Sequence, residues 1–483
     1  MRLYVLFYTD MITNDTQRRY IALHKKILII RPNVHTDVAD FSGFSFSEPL
    51  DLGYLSAYAR AEGFDADAID MLVDKKARDV KKLLAAKKYD LVAFTGHVTA
   101  HRAINELAAQ VKEFDKNIIT TVCGIMAAVN PHVYDNTVLD AIINLDPFET
   151  FVSILKKLAV GKRDFLSIAG VYHKDKPKGE VVRYVPKHFP LREKLATYAH
   201  NYRHSYKGPF VSIKTSYGCP NGCNFCLYAK GGYDKYWERD LDNVLDEIED
   251  IAEPNIFILD DNFTANIKRI AAFCDGLEAR KINKTFFMLA TAKAIAKNPE
   301  LIERFVSNGL KYVFLGVESF STDNLEHLNK RGTPEENHEA LMLLKKLDVE
   351  VNAGIICLPH FKKEDFDSLI ENLEKYNPIF PMVNVLAPMP GTPMHDVHAK
   401  EALVKSQKYE AFNMMELIIE PTNMTAKEFY TNLLRVYRAT MGSPITLKYI
   451  KERYGAKELL RHKKISGKVN KKFKMLMKQN KGK

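Results

Sequence analysis

Short apolar runs alternate along this chain with segments whose apolar residues recur every three or four positions. Between residues 26 and 160 the runs are "KILIIRP", "DADAIDM", "YDLVAFTG", "NIITTVCG" and "AIINLD". Between and after them lie "LGYLSAYARAEG", a segment near 73–87, residues 99–114 and "FETFVSILKKLAVG", all with helical spacing. Apolar runs of this length, bounded by turn residues, fit strands covered on both faces. The alternation predicts an α/β doubly wound, Rossmann-like domain over residues 26–160, after an N-terminal extension of residues 1–25. Ligands of such sheets sit beyond the carboxyl ends of the strands. Here those ends carry "RPNVH", "TGHVT", "CGIMA" and "NLDPFE".

Residues 161–210 read as a connector. Within it "IAGVYHKDKPKGEVVRYV" has the turn chemistry of a hairpin. A second alternation fills residues 211–394. Its strands are "FVSIKTS", "NIFILDDN", "TFFMLATA", "YVFLGVES", "EVNAGIICLP" and "MVNVLAPMPGTP", each separated from the next by a helix-period segment. Six such repeats predict a partial (β/α)6 barrel with its site at the carboxyl ends of the strands. Residues 395–460 read as helical, with "TAKE" forming a capping box at the head of one helix.

The chain has 46% hydrophobic residues, enough for ordinary cores. No run approaches the ~20 apolar residues that span a bilayer. The opening "MRLYVLFYTDMITND" is broken by Asp10 and offers no cleavage site, so it does not read as a signal peptide. Six cysteines in 483 residues argue against a disulfide framework. A cytoplasmic protein is expected, with contact at the inner face of a membrane as a refinement. The net charge of +10 is local: residues 461–483 hold ten Lys/Arg and no acid, while the rest is balanced at 60 against 60. Such a tail can meet anionic lipid or nucleic acid; its plainest reading is a solvated, frayed terminus.

Half of the cysteines fall in "CPNGCNFC", as Cys219, Cys223 and Cys226. A structural zinc site needs four ligands, and the loop holds no fourth Cys or His. A disulfide leaves one thiol over. A redox pair of Cys223 and Cys226 leaves Cys219 unexplained. An iron–sulfur cluster fits better: three thiolates on a cubane would leave one iron open. Cys123, Cys274 and Cys357 read as small buried hydrophobes, with Cys357 also at a strand end facing the expected cavity.

The C-x3-C-x2-C spacing with Phe225, on the first strand of a βα barrel, resembles the radical S-adenosylmethionine (SAM) superfamily. The resemblance implies a 4Fe-4S cluster on Cys219, Cys223 and Cys226, with SAM chelating the fourth iron and being cleaved reductively. It extends along the barrel. In "LDDNFT", Asp260, Asp261 and Asn262 would face the methionine end of SAM. In "TAKAI", Lys293 would take a carboxylate, and in "LGVES", Glu318 and Ser319 would lie near the ribose. A doubly wound domain ahead of such a barrel resembles the cobalamin-binding radical SAM enzymes. "EPLDLGYLSAYARAEGF" and the hairpin leading to Pro190 carry that likeness. It implies a cobalamin site at Leu52, Thr95, Gly96, Gly124 and Glu149, with His35 and His97 as loop residues beside the corrin. There is no D-x-H-x-x-G motif, so no histidine is expected to ligate cobalt.

The function this resemblance implies is cobalamin-dependent methyl transfer to an unactivated carbon of a small-molecule or lipid substrate. Cyclisation or rearrangement is the alternative within the superfamily, and an RNA-binding protein with a structural cluster the alternative outside it. Reduced flavodoxin or ferredoxin is the expected electron donor. Nucleic acid is not an expected partner, because the basic residues are confined to the tail and are not interleaved with aromatics.

Overall fold

The computed structural model describes residues 25–34, 45–175, 185–204, 208–230, 235–378, 381–401, 404 and 409–480. The chain divides into two compact units. Of the described residues, one comprises 25–34 with those from 49 to 198, the other 45–48 with those from 199 onward.

The first unit is an α/β fold around five parallel strands, β1 (Lys26–Arg31), β2 (Asp65–Asp70), β3 (Leu91–Thr95), β4 (Ile119–Cys123) and β5 (Ala141–Ile142), in the order β2-β1-β3-β4-β5. Every residue of β3 and β4 is buried, which is why their sequences read as unbroken apolar or small runs. Edge strand β2 alternates buried and open positions. The helices are α1 (Leu50–Ala61), α2 (Val80–Ala86), α3 (His101–Phe114) and α4 (Pro147–Ala159). The helix expected near 73–87 is broken: a 3-10 turn at Lys75–Arg78 precedes α2, and Asp79 caps α2 by accepting the Lys82 N–H at 3.1 Å. The hairpin expected after residue 168 falls largely on 176–184, outside the described residues. Of its described half, Val171 forms a single antiparallel bridge with Ile143.

The second unit holds six parallel strands in strict chain order. They are β6 (Val211–Ile213), β7 (Asn255–Ile258), β8 (Thr285–Thr291), β9 (Leu310–Glu318), β10 (Glu350–Cys357) and β11 (Met382–Val385). This is a half-barrel sheet. Its helices are α5 (Leu241–Asp250), α6 (Ile267–Ala279), α7 (Ala292–Lys297), α8 (Pro299–Ser307), α9 (Thr322–His327), α10 (Pro334–Lys346), α11 (Lys363–Tyr376) and α12 (Pro393–Lys400). Side chains alternate along each strand. Ile258, Met288, Leu315 and Ala353 join the core shared with the helices. Phe257, Phe287 and Tyr312 join a separate aromatic cluster with Phe210 near the amino ends of the strands, with Leu259, Leu289 and Phe314 packed against it. His204 lies among these rings, its centroid 4.0 Å from that of Phe257 and 4.9 Å from that of Phe287. Burial pushes its pKa down to about 3, so the imidazole is neutral.

Two C-terminal helices complete this unit, α13 (Ala426–Thr440) and α14 (Pro444–Gln479). Thr425 and Glu428 form the expected capping box on α13. The solvated, frayed terminus is corrected here: residues 461–479 are helical. Ile465, Val469, Phe473 and Leu476 recur at helical spacing and are at most 4% exposed, with Phe473 against Tyr437. Burial of that stripe outweighs the repulsion among the lysines, which apart from Lys472 project outward. Gly455, at φ 84°, interrupts α14. Just before it, Tyr449 (3.1 Å) and Tyr454 hydrogen-bond Glu350, and Arg453 Nε lies 3.0 Å from it. Glu350 is the buried first residue of β10, so α14 is fastened to the amino end of the sheet.

Candidate active site

The three cysteines follow β6 directly. Past Ile213 the chain forms a short antiparallel ribbon, Ser216–Tyr217 against Trp237–Glu238. It then turns at Gly218, whose φ is 80° and where a Cβ would stand 2.2 Å from the Lys235 carbonyl oxygen. Only glycine fits that turn. Two aspartates at the end of β7 fix this entry. Asp260 is 1% exposed and accepts the Thr215 N–H and the Thr215 and Ser216 hydroxyls, all at 2.6 Å. Asp261 accepts the Gly218 N–H at 2.9 Å and lies 3.2 Å from Lys214 Nζ. The Asp260 carboxylate is therefore occupied in holding the strand that carries the loop, a correction to its expected place against SAM.

The far side of the loop is tied to residues 327–330 and to α12. The Asn224 side chain donates to the His327 carbonyl at 2.8 Å and Asn329 to the Gly222 carbonyl, while the Met394 N–H donates to the Asn224 carbonyl at 3.0 Å. This brings in a residue the sequence reading missed. Lys330 pairs with Glu318 at 2.9 Å, and its side chain is 11% exposed. Burial pushes its pKa down, but Glu318 and the cysteines outweigh this and the net shift is upward. The thiols of Cys219 and Cys223 are raised by burial and drawn back by the Lys330 charge. Burial pushes Cys226 up to about 12. Cys219 is also within hydrogen-bond reach of the Asn262 side chain.

Glu318 ends β9 at φ 59°, a left-handed backbone rare for a residue with a side chain. A Cβ on Gly316 would crowd the pair, 2.7 Å from Lys330 Nζ and 2.8 Å from Glu318 Oε1. Ser319 is 6% exposed, and its hydroxyl accepts the Ser321 N–H at 3.1 Å. Phe225 is half-buried against the unit's core. The structure therefore brings together Cys219, Cys223, Cys226, Asp261, Asn262, Glu318 and Lys330. Lys293 stands apart, exposed on α7; the buried ammonium beside the thiols is Lys330. Cys357 is fully buried in the core beside Tyr437, which removes it from the expected cavity face. Among the described residues, no group of three or more His, Cys, Asp or Glu is drawn together around one point as for a single ion. A cubane makes a different demand, since each thiolate binds a different iron and the sulfurs stay spread. Three free thiols on one loop, beside a buried cation that offsets thiolate charge, fit that demand.

In the first unit the carboxyl ends of β3 and β4 meet. A Cβ on Gly124, at φ 111°, would stand 2.9 Å from the Gly96 carbonyl oxygen. The Thr95 hydroxyl donates to Asp51 at 2.9 Å. Tyr134, 3% exposed and interacting with Cys123 at the end of β4, has a hydroxyl without a hydrogen-bond partner among the described residues. Small residues and a spare buried hydroxyl at this edge fit a broad, neutral macrocycle such as cobalamin. Leu52 is corrected: it is fully buried in α1 and serves packing. Glu149, near the start of α4, is half-exposed and paired with Lys187 at 2.6 Å. His97 is exposed, and His35 lies outside the described residues.

Comparison with known proteins agrees with this geometry. Residues 213–373 match the model of the Radical SAM superfamily. The chain is 25% identical over 405 residues to the hopanoid C-3 methylase of Methylococcus capsulatus, covering 82% of this chain and 77% of that one. It is equally 25% identical over 450 residues to the anaerobic magnesium-protoporphyrin IX monomethyl ester cyclase of Rubrivivax gelatinosus, covering 88% and 79%. Among solved structures, the cobalamin-dependent SAM radical enzyme OxsB, with aqua-cobalamin and SAM bound, superposes with a TM-score of 0.66 at 17% identity, covering 94% of this chain and 72% of that one. The methyltransferase TsrM of Kitasatospora setae, with cobalamin and a [4Fe-4S] cluster, gives 0.66 at 14% identity, covering 93% and 99%. The chain thus carries a radical SAM domain over residues 213–373 and shares the fold of the cobalamin-dependent radical SAM enzymes.

Proposed function

We propose that this radical SAM enzyme is a cobalamin-dependent methyltransferase acting on an unactivated carbon of an apolar substrate. The observation that carries the reading is the loop of Cys219, Cys223 and Cys226 beside the buried Lys330–Glu318 pair, on the first strand of a half-barrel. Cys219, Cys223 and Cys226 would hold a 4Fe-4S cluster, and SAM would lie by Lys330, Glu318 and Asn262. Thr95, Gly96 and Gly124 would border cobalamin. When bound, the cluster and SAM supply hydrogen abstraction, and cobalamin supplies a methyl carrier.

The chain's own residues supply position and protection. Asp261 and Asp260 fix the entry to the cysteine loop, and Asn224 fixes its exit. Lys330 offsets the negative charge that three thiolates bring into a low-dielectric setting. Leu259, Leu289 and Phe314, partly buried against the aromatic cluster, would give the inner face of the sheet an apolar lining. That apolar lining supports a lipid or another largely apolar substrate. A small electron donor such as reduced flavodoxin or ferredoxin completes the reading.

The equal identity to the magnesium-protoporphyrin cyclase supports a second reading, oxidative cyclisation. The test is anaerobic preparation with iron, sulfide and hydroxocobalamin, followed by optical spectra and a SAM-cleavage assay. Wild type is expected to hold iron, retain corrin and cleave SAM. The triple change Cys219→Ala, Cys223→Ala, Cys226→Ala is expected to lose its iron, and iron retained by that variant overturns the site. SAM cleavage without retained corrin overturns the methyltransferase half alone.

A further inference from the structure

The outward face of α14 beyond Gly455 serves no role in the chemistry at the cysteines. Residues 457, 460, 464, 468, 471, 475 and 478 follow the three-and-four spacing of one helical face. They are Lys457, Leu460, Lys464, Lys468, Lys471, Met475 and Lys478, all exposed, with exposed Lys463 and Lys474 along one flank. The stripe covers about 32 Å at 1.5 Å per residue. Between residues 459 and 480 the sequence has no acid.

The opposite face is committed to the protein. His462, Ile465, Val469, Phe473 and Leu476 are at most 4% exposed. The helix does contain one inward lysine, Lys472, and that one is matched by Glu416 at 3.1 Å. None of the seven outward lysines is matched by a carboxylate among the described residues. Repulsion along such a row is a cost, and an anionic surface would remove it.

Two features decide the kind of surface. Leu460 is 68% exposed and Met475 38% exposed, one near each end of the lysine row and on the same face. Apolar side chains spaced among lysines suit the headgroup–acyl boundary of a bilayer, where the chains enter and the ammonium groups stay at the phosphates. The stripe also contains no arginine and no aromatic residue. Bidentate phosphate contacts and base stacking, the means of nucleic-acid recognition, are therefore missing from it. We propose that this face of α14 docks the protein on an anionic lipid bilayer, with the lysines over the headgroups and Leu460 and Met475 inserted.

The test is co-sedimentation of the full chain with vesicles of phosphatidylcholine alone or with about 30% phosphatidylglycerol, at low and high salt. Each lysine near an anionic surface contributes about fivefold to partitioning. Wild type is expected to bind the anionic vesicles, to leave the neutral ones, and to be released by salt as screening shortens. The variant Lys464→Glu, Lys468→Glu, Lys471→Glu should lose binding by about 100-fold or more, with an unchanged circular dichroism spectrum and melting point. The variant Leu460→Ser, Met475→Ser keeps the charge and should bind anionic vesicles more weakly than wild type at low salt. Equal binding of wild type to both vesicle types overturns the proposal, as does undiminished binding by the folded charge-reversed variant. Tighter binding at the same salt to a single-stranded RNA or to an acidic flavodoxin than to anionic vesicles also overturns it.

Discussion

Acidification should weaken the second unit through one residue, His204. The imidazole is 4% exposed among Phe210, Phe257 and Phe287, and burial lowers its pKa from 6.5 to about 3. The folded state therefore keeps it neutral, while the unfolded chain takes up a proton below pH 6.5. Stability linked to this group is fully present above pH 6.5 and is lost as pH falls from there toward 3. One proton costs about 1.4 kcal/mol per pH unit, so the loss reaches about 3 kcal/mol at pH 4.5. His204→Leu removes the proton and keeps an apolar side chain of similar size. The chain has a single tryptophan, Trp237, which lies in the second unit, so its fluorescence follows that unit alone during urea unfolding. The gap in unfolding free energy between wild type and variant should shift by about 3 kcal/mol in the variant's favour between pH 7 and pH 4.5. A gap that stays constant over this range would refute the claim that His204 is held neutral by burial.

Phe473→Ala should destabilise the second unit by about 3–5 kcal/mol in the same fluorescence assay, because the ring is fully buried against Tyr430 and Tyr437; a change below 1 kcal/mol would return the terminus to the frayed state. Glu247→Gln should cost about 3–5 kcal/mol. It leaves the Arg239 guanidinium, 2% exposed, without the carboxylate now 2.5 Å away. Gly124→Ala should cost about 1–3 kcal/mol through backbone strain, read as a lower melting temperature of the first unit. It should also reduce corrin retained after reconstitution, since its Cβ would displace the Gly96 carbonyl.

The first sheet was legible because its central strands are buried on both faces, which leaves the runs "LVAFT" and "ITTVC" with no exposed position, and the second because each of its apolar runs is followed by a segment of helical spacing. The cysteine loop was legible for another reason: its ligands are adjacent in sequence. Lys330 was not. It lies in "NKRGT", where polar residues look solvated, and only the ties from Asn224 and Asn329 bring that loop to thiols more than 100 positions away. The left-handed backbone of Glu318 leaves no trace in its residue type. Asp260 and Asp261 were visible as a pair, but sequence alone could not tell a carboxylate facing a ligand from one holding a neighbouring strand. In the tail, abundant lysine masked the four-residue recurrence from Ile465 to Val469 to Phe473, which decides between helix and frayed end.

The strict chain order of β6 to β11 bears on how the second unit is made. As a nascent chain emerges, each strand can pair with the one completed just before it, so the sheet grows from one edge without waiting for distant sequence. The amino end of β10 is the exception. Until Tyr449, Arg453 and Tyr454 are synthesised, the Glu350 carboxylate lacks the partners that make its burial tolerable. Helix α14 would then supply the charge balance of a sheet that is otherwise assembled in passing, and chains ending before residue 449 should unfold at lower urea than chains that include it.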